Sequence, residues 1–547
     1  MTGCYFEAYA KAVRSNKIRT GRRIKAALDY IERILKNPDA YVDEEKTETS
    51  IKLIEKFFFP LTPIQKMIME LVHCFYRSSD TVVFTEFDIM MGRGGGKNGF
   101  MSAIEWYLST PYHGIENYNI DVIANNEEQA RISPDDIRNM LNRNKSKMEG
   151  QFHWTAETIV NKKTGSYIRY NTSNARTKYG KRQGAIHVDE VEDFDNAEII
   201  NRFVSGLGKI KHGRVFKTFT QGKVRGAVLD ETLERCDMVL NGELDKLKIC
   251  PLLWELDDDK QAKNPANWIM ANPNIDYFPF QRAEIERAYE ASKVDLNDYI
   301  EFMTVRMNRP QISSDAEVTP YENIKAASKR PMIDLTGLPC VAGIDYADTT
   351  DFLSAGLLFF VDGMYFYRKK TWVCSSSKSL LKIRAPWQDW VAAGYLELVD
   401  DLQISPFLPA EWLALQMQQY RVMGVAIDRF RWMLLSDALT KTGVANKDTI
   451  KLTRGTDIIQ VAPLIVSAFT SGNITLPDDP EMRWSINNSK RIASERDKAL
   501  GNYTFGKIEP KSRKTDSFMA MVHAWTLSDL LTKGAGTAAM ELPVFTF

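Results

Sequence analysis

The chain has 547 residues, of which 44% are hydrophobic and 26% are charged, so it can bury several cores and is not disordered as a whole. Its 71 basic side chains balance its 71 acidic ones, which excludes a polycation that wraps nucleic acid along its whole length but not a local basic groove. The six cysteines form no CxxC pair and the six histidines no HExxH motif, which excludes zinc ribbons, thioredoxin-like sites and the common zinc hydrolases.

Residues 1–50 are expected to form a helical N-terminal segment, because alanine and isoleucine recur at helical spacing over 5–37. Seven basic residues follow one another here without an intervening acid: Lys11, Arg14, Lys17, Arg19, Arg22, Arg23 and Lys25. We interpret them as a solvated helix face, with a docking surface for DNA or an acidic partner as the alternative. Because a signal peptide and a membrane-spanning apolar run are both missing from the sequence, we expect a cytoplasmic protein.

Residues 51–255 alternate short apolar runs with helical stretches, which predicts a mainly parallel sheet with helices on both faces. The apolar runs are 87–91, 120–124, 185–188 and 215–220. Residues 256–335 are polar and helical and are predicted to form a linker subdomain. Residues 336–547 are predicted to form a second α/β unit. Its expected strands are 341–344, 352–360, 364–373, 422–427 and 503–508, and its last helix starts at about 515.

Residues 87–98 combine a strand, a glycine-rich loop and the start of a helix, the arrangement of a phosphate-binding loop. Glycines let backbone N–H groups approach phosphates, and a helix N-terminus favours anions. The residues expected to hold the phosphates of ATP are Gly94, Gly95, Gly96, Lys97 and Asn98. Met91 replaces the first glycine of the motif, and Asn98 replaces the Ser or Thr that ligates Mg²⁺, for which an amide oxygen is a neutral substitute. A flexible turn is the alternative for this loop taken alone.

A second motif, Asp189-Glu190, ends a short apolar strand about ninety residues after the loop. In a P-loop ATPase such a strand lies beside the phosphate loop, its Asp holds Mg²⁺ through water, and its Glu polarises the attacking water. His187 within this strand is interpreted as a core histidine with one satisfied ring nitrogen. The pair of acids therefore favours the phosphate-loop interpretation over the flexible turn.

Three further residues fit an ATP site. Gln65, upstream of the loop, resembles the adenine-binding glutamine of helicase-like ATPases, with a plain surface Gln as the alternative. Thr220 ends a later strand, where its hydroxyl can bond toward the γ-phosphate and couple hydrolysis to motion. Arg93 lies inside the loop and can stabilise transition-state charge, with a solvent-exposed Arg as the alternative.

Three carboxylates flank core elements of the second unit. Asp345 and Asp428 each follow a buried apolar strand, and Asp516 opens the last helix. An acid at such a position is costly unless it meets a cation or water. Three converging carboxylates would bind two Mg²⁺ or Mn²⁺ ions roughly 4 Å apart for phosphodiester cleavage. For each acid alone a helix cap or turn is the alternative, and Asp351 is a further candidate ligand.

Together these motifs resemble, in order and spacing over about 50–530, the large terminase subunit of tailed bacteriophages. The segments that carry the resemblance are Pro63-Ile64-Gln65, 93–97, 123–130, Val188-Asp189-Glu190, Ala271-Asn272-Pro273-Asn274, Gly343-Ile344-Asp345, Thr349-Thr350-Asp351 and Thr515-Asp516. The resemblance implies an ASCE-type P-loop ATPase domain at 51–255 and a ribonuclease-H-like nuclease domain at 336–547. The roles it implies are ATPase residues Lys97, Asp189 and Glu190, a finger role for Arg93, a coupling role for Thr220, and nuclease metal ligands Asp345, Asp428 and Asp516.

The resemblance also implies an activity and its partners. ATP hydrolysis would move double-stranded DNA into a procapsid, and an endonuclease using Mg²⁺ or Mn²⁺ would cut concatemers. The implied partners are double-stranded DNA, the portal protein, the small terminase subunit and further copies of the chain in a ring, in the cytoplasm of the infected host and without a membrane. One alternative is a helicase-like ATPase–nuclease of repair or restriction, which predicts a second RecA-like domain. Another is an interaction protein whose phosphate loop no longer hydrolyses ATP.

Overall fold

The computed structural model describes most of the chain. The described residues are 4–172, 182–194, 196–222, 227–311, 317–346, 352–377, 380, 383, 385–429, 432–446, 449–493, 497, 501–508 and 513–535, so the candidate ligand Asp351 lies outside them. The chain divides into two compact units, Met1–Gln311 and Ile312–Phe547. The division falls inside the segment 256–335 that the sequence predicts as a linker. Within the described residues, no helix is both long enough and apolar enough to cross a membrane.

The first unit contains eleven strands and eleven α-helices among its described residues. The strands are β1 Ala40–Val42, β2 Cys74–Tyr76, β3 Thr81–Val82, β4 Glu86–Met90, β5 Asn119–Ala124, β6 Phe152–Trp154, β7 Thr158–Asn161, β8 Tyr167–Thr172, β9 Gln183–Asp189, β10 Arg214–Phe219 and β11 Ile249–Leu253. The helices are α1 Cys4–Arg14, α2 Arg22–Leu35, α3 Glu44–Phe57, α4 Pro63–Val72, α5 Lys97–Leu108, α6 Glu127–Arg143, α7 Lys145–Met148, α8 Glu198–Val204, α9 Val228–Leu240, α10 Pro279–Ser292 and α11 Leu296–Glu301.

An eight-stranded sheet forms the centre of the first unit, in the order β11-β4-β10-β9-β5-β8-β7-β6. Its first six strands pair in parallel, as predicted, and β7 and β6 add an antiparallel edge. Every residue of β9 and β10 is buried, as expected for parallel strands covered on both faces. Strand β10 pairs with both β4 and β9 and separates them, so the end of β9 approaches the phosphate loop across β10.

The N-terminal helices pack onto the core of the first unit, to which Phe6 on α1 and Ile31 on α2 contribute fully buried side chains. Arg23 Nη2 lies 2.6 Å from Asp237 Oδ2 on α9, and Arg23 Nη1 lies 3.1 Å from Glu255 Oε2, just after β11. A guanidinium that joins two acids in this way is a structural clamp. Arg23 is therefore not part of the solvated face that the sequence predicted, whereas Lys17 is exposed.

The second unit contains nine strands and eight α-helices among its described residues. The strands are β12 Pro339–Asp345, β13 Leu353–Val361, β14 Met364–Cys374, β15 Glu397–Val399, β16 Arg421–Asp428, β17 Ile450–Thr453, β18 Ile474–Thr475, β19 Ser489–Ile492 and β20 Thr504–Lys507. The helices are α12 Tyr321–Lys329, α13 Trp387–Ala392, α14 Phe407–Gln416, α15 Trp432–Lys441, α16 Gly455–Thr470, α17 Pro480–Asn487, α18 Asp516–Trp525 and α19 Asp529–Ala535.

A mixed sheet organises the second unit, in the order β15-β14-β13-β12-β16-β17 with β18 beside β14. Strands β12, β13 and β14 pair antiparallel, and β16 and β17 continue the sheet in parallel with β12. The hairpin between β13 and β14 turns on Asp362 and Gly363, whose φ angles of 48° and 82° are both positive. Two central residues with positive φ suit the twist of a tight hairpin. The predicted hairpin is thus confirmed.

Helix α18 lies directly on β12 at Gly343. A Cβ on Gly343 would stand 2.1 Å from Ala520 O and 2.3 Å from Ala524 N, distances at which the helix backbone would have to move. Gly343→Ala is therefore expected to destabilise the second unit by about 3 kcal/mol, as overpacking of a rigid contact does. The shift in the urea midpoint, with hydrogen exchange of peptides from α18, measures the effect.

The matched control lies on the neighbouring strand β16. A Cβ on Gly424 would meet nothing closer than 3.4 Å, an ordinary contact, so Gly424→Ala should change stability by less than about 1 kcal/mol. Equal effects of the two substitutions would contradict the close approach of α18 to β12.

Candidate functional site

The predicted phosphate loop connects β4 to α5. Gly94 and Gly96 have φ angles of 84° and 81°, in the left-handed region that only glycine adopts without strain. Lys97 begins α5, and its Nζ donates a hydrogen bond to Met91 O at 2.8 Å. Burial lowers the pKa of Lys97, while the nearby charges of Glu192, Asp189 and Glu190 oppose this shift and favour the ammonium. The loop therefore holds a cation at a helix N-terminus, the arrangement that binds phosphate.

The two predicted halves of this site meet through Asn98. Its Nδ2 donates to Asp189 Oδ2 at 3.0 Å, across 91 positions of sequence. Asp189 Oδ1 in turn accepts from Thr218 Oγ1 at 2.7 Å. Asp189 at the end of β9 thus contacts the first turn of α5, although β10 lies between β9 and β4, the strand that precedes the loop. Since Asn98 donates with its nitrogen, its amide oxygen stays available as an acceptor or ligand.

Glu190 follows Asp189 in a left-handed conformation, with φ 51° and ψ 59°. Such a conformation is uncommon for a residue with a Cβ and occurs at functional sites. Burial, together with the negative charges of Asp189 and Glu192, raises the pKa of Glu190 to about 7. Gln129 Nε2 donates to its carboxylate. A carboxyl group with a pKa near neutrality suits proton transfer at the pH of a cell.

Further polar side chains surround these acids, among them Glu192 and Glu105, for which the sequence offered no signal. Thr220 donates two hydrogen bonds to Glu192 Oε1, from its backbone N at 3.0 Å and from its hydroxyl at 2.5 Å. The hydroxyl that is predicted to bond a phosphate is therefore bonded to a carboxylate of the chain itself. His187 bonds on both sides, to Glu105 Oε1 at 2.7 Å and Thr218 Oγ1 at 2.8 Å. Burial disfavours its charged form, but the bond to Glu105 outweighs burial and raises the pKa of His187. The expectation of a single satisfied nitrogen is therefore wrong.

Gln65 lies at the start of α4, next to the loop. It forms a capping box with Thr62, in which Gln65 Oε1 accepts from Thr62 N at 3.0 Å. Gln65 is buried, and its Nε2 lies 3.9 Å from the position of a Cβ on Gly96. Thr62 Oγ1 also bonds Asn274, whose Nδ2 donates to Gly95 O at 2.9 Å. The side-chain oxygen of Gln65 is thus bonded within the helix cap, and the binding of adenine by Gln65 stays a prediction.

Arg93, the predicted finger residue, points its guanidinium toward Glu301, with Nη1 and Oε1 3.0 Å apart. Both side chains are largely exposed. Exposed ion pairs contribute little to stability, so this contact does not prevent the side chain from turning toward a ligand. Its catalytic role also stays a prediction.

The second unit brings two of the predicted carboxylates to the same end of its sheet, where strands β12 and β16 finish. Strands β12 and β16 are parallel neighbours, with Ile344 opposite Ile427, so Asp345 and Asp428 leave adjacent strands at the same end. Asp345 is half-buried and Asp428 is exposed. Across the part of the chain that the structure describes, no group of three or more His, Cys, Asp or Glu side chains is arranged to hold a metal ion. The convergence of all three carboxylates therefore stays a prediction.

The residue after the third carboxylate, Asp516, is joined to this end of the sheet by hydroxyl groups. Ser517 Oγ lies 2.9 Å from Thr371 Oγ1, which lies 3.1 Å from Ser354 Oγ. Ser354 is the residue opposite Asp345 in the pairing of β12 with β13. The N-terminus of α18, where Asp516 is buried, therefore lies at the same end of the sheet as Asp345.

A buried ion-pair network supports the start of α18. Ser517 Oγ bonds Glu481 Oε2 at 2.7 Å, and Lys369 Nζ lies 2.5 Å from that oxygen and 2.7 Å from Asp479 Oδ2. Burial opposes the charge on Lys369, but the two acids outweigh it and raise its pKa. The sequence offered no signal for this network, because its members lie on separate elements.

Comparison with known proteins matches two family models in succession along the chain. The family model of the terminase large subunit ATPase domain matches residues 63–237, and that of the terminase large subunit endonuclease domain matches residues 251–405. The chain belongs to the terminase large subunit family. The ATPase match includes Gln65, the phosphate loop, Asp189 and Glu190, and the endonuclease match includes Asp345 but ends before Asp428. The predicted order, an α/β ATPase-family domain followed by a nuclease-family domain, is confirmed.

Individual relatives are distant. The terminase large subunits of Lactococcus phages p2 and SK1 are each 23% identical to this chain over 347 residues, a match that covers 59% of this chain and 60% of theirs. The crystal structure of the HK97 bacteriophage large terminase is 17% identical, with a TM-score of 0.49, 89% of this chain covered and 100% of that one. A large terminase from a thermophilic bacteriophage is 11% identical, with a TM-score of 0.29, and the match covers 82% of this chain and 94% of that one.

Proposed function

We propose that this terminase large subunit is the ATP-driven motor and the nuclease of viral DNA packaging. The observation that carries the proposal is the bond between Asn98 in the phosphate loop and Asp189 at the end of β9, because it joins the two halves of an ATPase site. Family membership supports the same activity. ATP hydrolysis would move double-stranded DNA into the procapsid, and the second unit would cut the concatemer.

The phosphate loop fits ATP and Mg²⁺ by its geometry. The positive φ angles of Gly94 and Gly96 leave the loop backbone open to phosphates, and Lys97 is held in place to exchange Met91 O for a phosphate oxygen. The amide oxygen of Asn98 and the carboxylate of Asp189 are the oxygen donors that Mg²⁺ prefers. In this site Glu190 would take the proton of the attacking water, which its pKa of about 7 suits. Magnesium, when bound, supplies charge neutralisation for the phosphates.

The nuclease residues fit a hard divalent cation by their chemistry. Asp345, Asp428 and Asp516 offer carboxylate oxygens only, which favours Mg²⁺ or Mn²⁺ over softer metals. Asp345 and Asp428 leave neighbouring strands, and Ser517 fixes the helix turn that carries Asp516. We propose that these three carboxylates hold the ions that activate water and stabilise the leaving oxygen.

We further propose the partners that the family suggests. These are double-stranded DNA, the portal protein, the small terminase subunit and other copies of this chain in a ring on the portal, all in the cytoplasm of the infected host. The helicase-like alternative is not favoured. It requires a second RecA-like domain, whereas the sheet of the second unit is built around the antiparallel strands β12, β13 and β14.

The test is a pair of assays on the full chain: ATP hydrolysis with Mg²⁺, with and without double-stranded DNA, and cleavage of a supercoiled plasmid with Mg²⁺ or Mn²⁺. We expect both activities, and we expect excess EDTA to abolish both while a zinc-specific chelator abolishes neither, because all proposed metal ligands are oxygens. Plasmid cleavage that persists in EDTA would contradict the carboxylate site. Failure of ATP hydrolysis in a folded sample would favour the interaction-protein alternative.

A further inference from the structure

Arg306 lies over the phosphate loop, at the end of the helical turn Phe302–Arg306 that follows α11. Its carbonyl oxygen accepts from Asn272 Nδ2 at 2.8 Å. A Cβ on Gly92 would stand 2.5 Å from that carbonyl oxygen and 2.2 Å from Asn272 Oδ1. Only glycine at position 92 allows this approach, so the backbone that carries Arg306 is fixed against the loop.

The Arg306 side chain reaches the turn of the loop from this fixed position. Its Nη1 donates to Arg93 O at 2.8 Å and lies 3.3 Å from the position of a Cβ on Gly94. The Arg93 backbone N–H is taken by Val305 O at 2.8 Å, and the Arg93 guanidinium is turned toward Glu301. Arg306, rather than Arg93, therefore presents its guanidinium to the main chain of the loop.

Charges of both signs face Arg306: Glu284 and Glu301 favour its charged form, and Arg93 and Arg287 oppose it. The side chain is half-buried, and burial, together with the charge of Arg93, lowers its pKa. Two neighbouring cations at a phosphate loop repel each other until an anion joins them. A polyphosphate is such an anion, and a planar guanidinium can bind it through two parallel hydrogen bonds.

We propose that Arg306 is a further nucleotide-binding residue of this chain, which contacts the terminal phosphate of ATP and so distinguishes ATP from ADP. The inference rests on the proposed ATPase function. The backbone N–H groups at the start of α5 would receive the inner phosphates, and the Lys97 side chain would extend from there to the terminal phosphate. Arg306 would approach that terminal phosphate, which ADP lacks, from the Arg93–Gly94 side of the loop.

The experiment compares the equilibrium affinities of the full chain for ATPγS and ADP before and after Arg306→Gln. We expect ATPγS binding to weaken roughly tenfold or more, the effect of losing a charge-assisted hydrogen bond, and ADP binding to change less than about threefold. Arg306→Lys keeps the charge without the planar fork and should recover part of the preference for ATPγS. The matched control is Lys293→Gln directly after α10, whose ammonium pairs with Glu290 at 2.6 Å on the surface, and it should change neither affinity.

Three results would overturn the proposal, and they are distinguishable. Equal weakening of ATPγS and ADP would mean that Arg306 only braces the loop, and unchanged affinities would mean that it contacts neither nucleotide. If the wild-type chain bound neither nucleotide, the ATPase proposal would fail and this inference with it. Should Arg306→Gln not fold, the comparison of Arg306→Lys with wild type decides the same question, because a bracing role predicts equal losses for both nucleotides.

Discussion

Lys97→Ala is expected to lower ATP hydrolysis by the full chain at least a hundredfold. The ammonium of Lys97 is held over the phosphate loop by Met91 O and favoured by three nearby acids, and it would stabilise the charge that develops on the transferred phosphate. Losing one preorganised charge of this kind typically costs on the order of a hundredfold to a thousandfold in rate. Steady-state phosphate release with Mg²⁺ measures the effect.

The same variant is expected to keep plasmid cleavage, because the carboxylates belong to the other unit. Lys36→Ala is the matched control, since Lys36 is a largely exposed cation that pairs with Glu32 at 3.1 Å on α2, and it should leave both activities unchanged. If folded Lys97→Ala protein lost both activities, the assignment of two separate sites would be wrong.

Asp345→Ala is expected to abolish metal-dependent DNA cleavage, by at least a hundredfold, while ATP hydrolysis persists. Asp345 ends β12 beside the end of β16, in the unit that follows the ATPase unit, and its loss would remove a proposed ligand of the metal ions. Asp345→Asn keeps the shape but not the charge and should be nearly as damaging, because the ions need anionic donors. Conversion of supercoiled plasmid to nicked and linear forms with Mn²⁺ measures the loss.

Asp437→Ala serves as the matched control for this second prediction. Asp437 is an acid on α15 of the same unit, more than half exposed, and it pairs with Lys441 at 2.7 Å, so its removal should leave cleavage unchanged. Undiminished cleavage by folded Asp345→Ala protein would show that the nuclease does not use this carboxylate and would direct the search to other acids of the unit.

Much of the fold was predictable because its signals are local. Apolar runs marked β4, β5, β9 and β10, the Asp362-Gly363 turn marked the hairpin of the second unit, and the acids after strands marked the edges at which chemistry is proposed. Parallel strands place their carboxyl ends at one edge of a sheet, so the proximity of Asp345 and Asp428 follows from correctly placed strands.

The order of strands was not predictable in this way. The sequence predicted that Asp189 lies beside the phosphate loop, but it did not indicate that β10 would separate β9 from β4 and supply Thr218 to Asp189. Strand order depends on which strands pair in the folded sheet. A run of apolar residues predicts a strand but does not indicate which other strand will pair with it.

By itself, the sequence determined the type and order of the elements and the residues at their ends, because periodicity, turns and caps depend on neighbours within a few positions. Only the tertiary structure decided which polar groups meet. The clamp from Arg23 to Glu255 spans 232 positions, and the contact of Arg306 with Arg93 spans 213. Such pairs form because buried charges require partners once the chain has closed, and which partner is near depends on the packing of whole helices and strands.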